Sequence, residues 1–181
     1  MSGHNKWSKI KHKKAAGDAA KSKIFSKHSA LIAMESRKAG GNTASPGLAA
    51  AIERAKKDSM PKDNIERAIS KGSGAEGGSL EEIVFEGYGP GGTAMIITVV
   101  TDNNNRTAPE IRHIFSKAGF ELGTPGSATW AFTKTAEGYI PNTPMELSDA
   151  DGEKLAQLIE NLEEQDDVQD IYTTADTPDE D

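Results

Sequence analysis

Apolar positions along the chain follow one period in the first third and another afterwards. Between about Gly17 and Ala39, Ile24, His28, Leu31 and Ile32 recur at helical spacing, with Phe25 on a neighbouring stripe. Gly40-Gly41 ends that pattern. Ser45-Pro46 places an N-cap residue before a proline at the first helical position, which predicts a second helix to about Asp58. Pro61 opens a third, with Ile65, Ala68 and Ile69 on its buried face and a stop at Gly72. Three short helices with short connections predict a small helical bundle. Residues 1–16 show no apolar period and read as an extended arm.

After the Gly/Ser-rich stretch Gly72–Ser79 the period becomes that of strands. EEIVFEGY and TAMIITVVT are β-branched and aromatic runs joined by GPGG. Thr107-Ala108-Pro109-Glu110 reads as a capping box that starts a helix burying Ala108, Ile111, Phe115 and Ala118. SATWAFTK predicts a third strand, and GYIPNTPMEL, with two prolines, an edge strand at best. Ser148 and Asp151 cap a last helix with Leu155, Leu158, Ile159 and Leu162 on one side, and VQDIYTT closes as a strand. The order β-β-α-β-α-β predicts an α+β sheet domain with helices on one face. The expected organisation is an arm and three-helix bundle over 1–71, a linker over 72–79, the α+β domain over 80–173 and an acidic disordered tail over 174–181. No internal repeat is visible.

Charge sharpens this division. The net charge of −7 is the sum of two opposed parts. Up to Lys71 there are 16 Lys and Arg against 6 Asp and Glu, a balance of +10; from Gly72 onward 5 face 22, a balance of −17. A polyanion is attracted to one end and repelled by the other. The absence of cysteine excludes disulfides, thiolate metal sites and a cysteine nucleophile, and fits the reducing cytoplasm. There is no signal-peptide core, no N-myristoylation pattern and no apolar run long enough to span a bilayer, so no membrane partner is expected.

The sharpest local signal is the start of the chain, where residues 1–27 hold eight Lys and one acid, Asp18. Lysine neutralises phosphate and releases counterions, histidine donates to phosphate oxygens, and tryptophan stacks on bases. The candidate nucleic-acid contacts are His4, Lys6, Trp7, Lys9, Lys11, His12, Lys13, Lys14, Lys21, Lys23 and Lys27, with Lys56 and Lys57 extending the patch. The plainer reading is a solvated arm with Trp7 packed as an anchor. Arg106 and Arg112, at the start of a helix after Asp102-Asn103-Asn104-Asn105, are a candidate second contact, or else Arg106 pairs with Asp102 or Glu110. Gly87, Gly89 and Gly92 match G-x-G-x-x-G, but a strand follows where a dinucleotide site needs a helix, so EGYGPGG reads as a hairpin connection with positive-φ positions. No catalytic set, metal-ligand spacing or cofactor motif is present, so no enzymatic activity, cofactor or small-molecule substrate is expected.

Several of these segments together resemble one family. Gly3-His4-x-Lys6-Trp7-x-x-Ile10-Lys11-His12, then Asp18, Phe25 and Lys27, is similar to the opening signature of the YebC/PmpR family. The resemblance continues through Met60-Pro61-Lys62-Asp63-x-Ile65, Glu86-Gly87-Tyr88-Gly89-Pro90-Gly91-Gly92, Asp102-Asn103-x-Asn105-Arg106-Thr107 and Asp166-Asp167-Val168-Gln169. It implies a helical first domain and an α+β second domain. It also implies a non-enzymatic role as a DNA-binding transcriptional regulator or a ribosome-associated translation activator. Members usually carry a third domain inserted where only Thr135, Ala136, Glu137 and Gly138 stand here, and their Gly-Gly pair reads Gly119-Phe120.

The leading expectation is a regulator of gene expression that binds DNA, or ribosomal or transfer RNA, through its basic third. No helix carries the Arg, Asn and Gln pattern of a base-reading helix, which favours structured RNA over sequence-specific DNA. The alternative is a protein-interaction module whose basic arm docks on an acidic partner.

Overall fold

The computed structural model describes residues 17–75 and 78–176, which form two compact units. One comprises residues 17–83 with 100–104, the other 84–99 with 105–176.

The first unit is built from α1 (Asp18–Lys38), α2 (Pro46–Lys57) and α3 (Lys62–Ser73). Ile32, Leu48, Ala51, Ala55, Met60, Ile65 and Ala68 form its core, with Phe25, Leu31 and Ile69 packed at the edge. Ser45 occupies the N-cap position of α2, as its sequence predicts, but makes no side-chain capping bond. Two of the helices end in the same device. At α1, Gly40 takes φ +59, its N–H bonds to Arg37 O, and that of Gly41 to Ser36 O. At α2 the left-handed position falls on Ser59, φ +63, while Met60 N–H reaches Ala55 O at 2.9 Å. Both are Schellman closures, and the second seats Met60 in the same core as Ala55.

Helix α3 departs from the expected stop. Gly72 lies inside it and is buried, because there α3 meets α1: a Cβ on Gly72 would stand 2.1 Å from the carbonyl oxygen of Ala33. The glycine serves close helix approach and does not end the helix.

The second unit holds most of a sheet in which β1 (Glu81–Tyr88), β2 (Ala94–Thr101) and β5 (Val168–Thr173) run in the order β1-β2-β5, with β2 and β5 antiparallel. β2 is buried on both faces. Met95, Ile97 and Val99 pack with Ile111 and Phe115 of α4 (Asn104–Lys117) and with Leu155, Leu158 and Leu162 of α5 (Asp149–Glu164). Ala94 and Ile96 face Ala128, Ala131 and Phe132 instead. Helices therefore cover one face, as the α+β pattern predicts. SATWAFTK forms a strand only at its end: β3 (Phe132–Thr135) pairs with β4 (Gly138–Pro141) in a separate antiparallel hairpin, and Thr129–Ala131 is a 3-10 turn. Ser148 caps α5 by accepting from Asp151 N–H at 3.2 Å.

The start of α4 differs from its expected capping box. The helix begins at Asn104, so Thr107 is already within it and Pro109 lies in its interior. Thr107 is buried and its hydroxyl donates across to Asp167 at 2.8 Å, a tertiary bond. Ile111 and Phe115 are buried as predicted, whereas Ala118 is exposed. The Gly119-Phe120 turn closes as a third Schellman motif, with Phe120 N–H on Phe115 O at 2.9 Å.

Candidate nucleic-acid interface

His4, Lys6, Trp7, Lys9, Lys11, His12, Lys13 and Lys14 lie outside the described residues. The other sequence candidates fall in three places. Lys21, Lys23 and Lys27 are on α1, Lys21 exposed and the other two half-buried. Lys56 and Lys57 are exposed at the end of α2, where Lys56 pairs with Glu53 at 2.9 Å. His28, buried in α1, meets Asp58 just beyond α2, with Nε2 and Oδ2 2.6 Å apart.

The helices also display cations beyond these candidates. Arg54, Lys62, Arg67 and Lys71 are exposed on α2 and α3, and Arg37 and Lys38 at the end of α1. Their signal was present in the amphipathic period, since each occupies the polar side of a helix whose apolar side builds the core. Among the described residues of the first unit, the carboxylates Glu35, Glu53 and Glu66 pair with Lys38, Lys56 and Lys62 one helical turn away. Such exposed pairs are worth about 0.3–0.5 kcal/mol each and are readily exchanged for a phosphate.

Arg106 and Arg112 do not form a shared patch. Six residues apart on α4, they project about 120° from one another. Arg106 is tied to the fold: its Nη2 donates to Asp167 Oδ2 at 3.0 Å, a partner 61 residues away. Asp167 also accepts from Thr107 at 2.8 Å and from Gln165 at 3.1 Å. Burial pushes the Asp167 carboxyl up, but the bonds from Gln165, Thr107 and Arg106, with the guanidinium charge, outweigh it and hold it below the ordinary range. Arg112 is exposed.

EGYGPGG likewise turns out to be structural. Glu86, 6% exposed, accepts the backbone N–H of Gly126 at 2.7 Å, Ala128 at 3.0 Å and Thr129 at 2.7 Å. Burial alone would raise its carboxyl, and these three N–H groups bring it down instead. Pro90–Gly92 turn as a 3-10 segment with Gly91 and Gly92 at φ +68 and +78, and β2 follows as expected. Among the described residues no three His, Asp or Glu gather to hold a metal ion, and no helix is long and apolar enough to cross a membrane.

Comparison with known proteins locates this arrangement. Residues 5–75 match the model of the TACO1/YebC protein N-terminal domain, and residues 80–138 and 135–175 match that of the TACO1/YebC second and third domain. The two later segments meet at 135–138, the β3–β4 turn. A relative from Trichlorobacter lovleyi, named "Probable transcriptional regulatory protein", is 47% identical over 96% of this chain and 70% of its own length. A relative of the same name from Dictyoglomus thermophilum is 39% identical, with 99% of this chain and 98% of the relative covered. That alignment runs over 243 positions against 181 residues here, so at least 62 of its positions have no counterpart in this chain. The crystal structure of a conserved hypothetical protein from Aquifex aeolicus superposes with a TM-score of 0.78 at 30% identity, covering 90% of this chain and 93% of that one. With both parts of the sequence matched in order and a solved relative sharing the fold, this chain belongs to the TACO1/YebC family.

Proposed function

We propose that this chain is a non-enzymatic regulator of gene expression that holds the phosphate backbone of structured RNA with its basic N-terminal third. The observation that carries this reading is the opposed charge of its two parts, +10 up to Lys71 and −17 beyond it. Exposed Lys21, Arg54, Lys57, Arg67 and Lys71 support it by continuing the lysine-rich start of the chain over the helices. Binding of this kind is electrostatic and weakens steeply with salt. The acidic part repels the same ligand and so fixes which end faces it. RNA is favoured over duplex DNA because none of the described helices presents a base-reading set of side chains. A DNA-bound transcriptional role is the second reading, and the relatives' names favour it.

Co-sedimentation with ribosomes across a salt series, with duplex DNA as competitor, tests the choice. Salt-sensitive ribosome binding that duplex does not displace is the expected result. Displacement by duplex at equal phosphate concentration would restore the transcriptional reading, and binding to neither would leave docking on an acidic protein partner. Replacing Lys9, Lys11, Lys13 and Lys14 by Glu should abolish the salt-sensitive binding and leave the far-UV circular dichroism melt in place.

A further inference from the structure

A groove of about 610 Å3 runs along α1 and α3 within the helical unit. Ser22, Ser26 and Ser29 of α1 line it at i, i+4 and i+7, a row about 10 Å long on one helix face. None of these three hydroxyls has a hydrogen-bond partner among the described residues. From α3 come Arg67 and Lys71, one turn apart, and no described residue lining the groove is a carboxylate. Arg67 is aimed by its own helix, since Nε donates to Asp63 O at 3.3 Å and Nη2 to Asn64 Oδ1. Phe25 lies half-buried between the core and the groove.

This is an unusual lining for a gap between two helices. Two cations in a groove whose described lining holds no carboxylate call for an anion, and partnerless hydroxyls call for groups that both donate and accept. A ribonucleotide supplies both: phosphate oxygens for the cations and a 2′-hydroxyl, which donates and accepts and which DNA lacks, for the serines. The volume is within the roughly 300–1,000 Å3 of small-ligand sites.

We propose that the α1–α3 groove seats one ribonucleotide of a single-stranded RNA, its phosphate between Arg67 and Lys71 and its ribose hydroxyls on the serine row. Phe25 offers aromatic surface to the base. The assignment rests on the nucleic-acid reading above and sharpens it, because the serine row makes this groove the place where RNA is told from DNA.

The test uses the full chain, fluorescein-labelled octauridine and its deoxy counterpart, read by anisotropy across a salt series. Wild type binds the RNA more tightly. The variant S22A/S26A/S29A, which keeps good helix formers in α1, should lose about tenfold in RNA affinity and nothing for DNA, so the preference disappears. The variant R67Q/K71Q should weaken both ligands and flatten the salt dependence by about 0.7, the slope for one single-strand phosphate contact. In a wild-type NMR titration with octauridine, the amides of Ser26, Ser29 and Lys71 should shift. If both groove variants bind like wild type while glutamines at Lys9, Lys11, Lys13 and Lys14 destroy binding, the groove assignment falls and the function stands. If wild type binds neither oligomer, the groove assignment falls, and the wider reading is decided by the ribosome co-sedimentation. Displacement of the RNA by polyglutamate at equal charge concentration would mark a general anion surface and overturn the assignment, as would displacement by uridine monophosphate at equal concentration.

Discussion

Gly72 and Gly47 make a paired test of how the helical unit is packed. Both are helical glycines, so alanine at either brings a similar propensity gain of about 0.5–1 kcal/mol, smaller near helix ends. What each new methyl would meet is different. At Gly72 it would stand 2.1 Å from the Ala33 carbonyl oxygen and 2.8 Å from that residue's carbonyl carbon and Cα. These are backbone atoms in the middle of α1, and a relaxed carbon–oxygen contact is about 3.3–3.6 Å. The two helices must therefore separate by about 1 Å, and a gap of that size forfeits a quarter to a half of each dispersion contact along the seam. Overpacking of this kind costs about 1–3 kcal/mol. After the propensity gain, Gly72→Ala should lose about 1–2 kcal/mol. At Gly47 the methyl would meet Glu35 Oε2 at 2.3 Å, the tip of a side chain that can swing away. Moving it disturbs only the exposed pair with Lys38, so Gly47→Ala should be neutral or stabilising by up to about 1 kcal/mol. Urea unfolding followed at 222 nm reads both. With a slope of about 2 kcal/mol per molar, Gly72→Ala should lower the midpoint by roughly 0.5–1 M, and Gly47→Ala should leave or raise it. An unchanged midpoint for Gly72→Ala would refute the close α1–α3 approach. Equal losses at both sites would show that something other than the backbone contact is responsible.

Three further outcomes follow from the geometry. Ser59→Gly should raise stability by about 1 kcal/mol, since a left-handed serine carries a cost that glycine does not, and the same urea midpoint reads it. Glu86 and Asp167 both have folded-state pKa values below the ordinary ones. The stability they contribute is therefore fully present above the ordinary carboxylate range of about pH 4 and is lost as pH falls through their lower folded values. Melting temperature should drop as pH falls below about 4, and Glu86→Gln, about 1.5–3 kcal/mol less stable at pH 7, should drop less on acidification. An unchanged acid slope in that variant would show that Glu86 is not the group titrating. Arg106→Gln should cost at most about 1 kcal/mol and leave RNA affinity within about twofold, because its guanidinium serves Asp167; a tenfold loss of affinity would show that it reaches the ligand.

What the sequence determined alone is what short-range chemistry determines. The first bundle helix, the second up to its capping residue, the last helix with its Ser148 cap and the final strand all stand where the apolar period and the punctuating residues put them. The opposed charges were equally plain, because charge needs no fold to be counted. The failures are contacts between residues far apart in the chain. Gly72 looked like a helix stop and is a close approach to Ala33, 39 positions earlier. Thr107 looked like a cap and is a donor to Asp167, 60 positions later. SATWAFTK looked like a member of the main sheet, but only its last residues pair, and they pair with β4. Nothing in EGYGPGG announced that Glu86 would gather three N–H groups from residues 126–129. The groove needed the most from tertiary structure. Its serines share one face of α1 by their spacing alone, but that this face lines a groove and which cations stand opposite depend on how α3 crosses α1. Periodicity specifies which side of an element is apolar, whereas only packing decides what that side, and the polar one beside it, will meet.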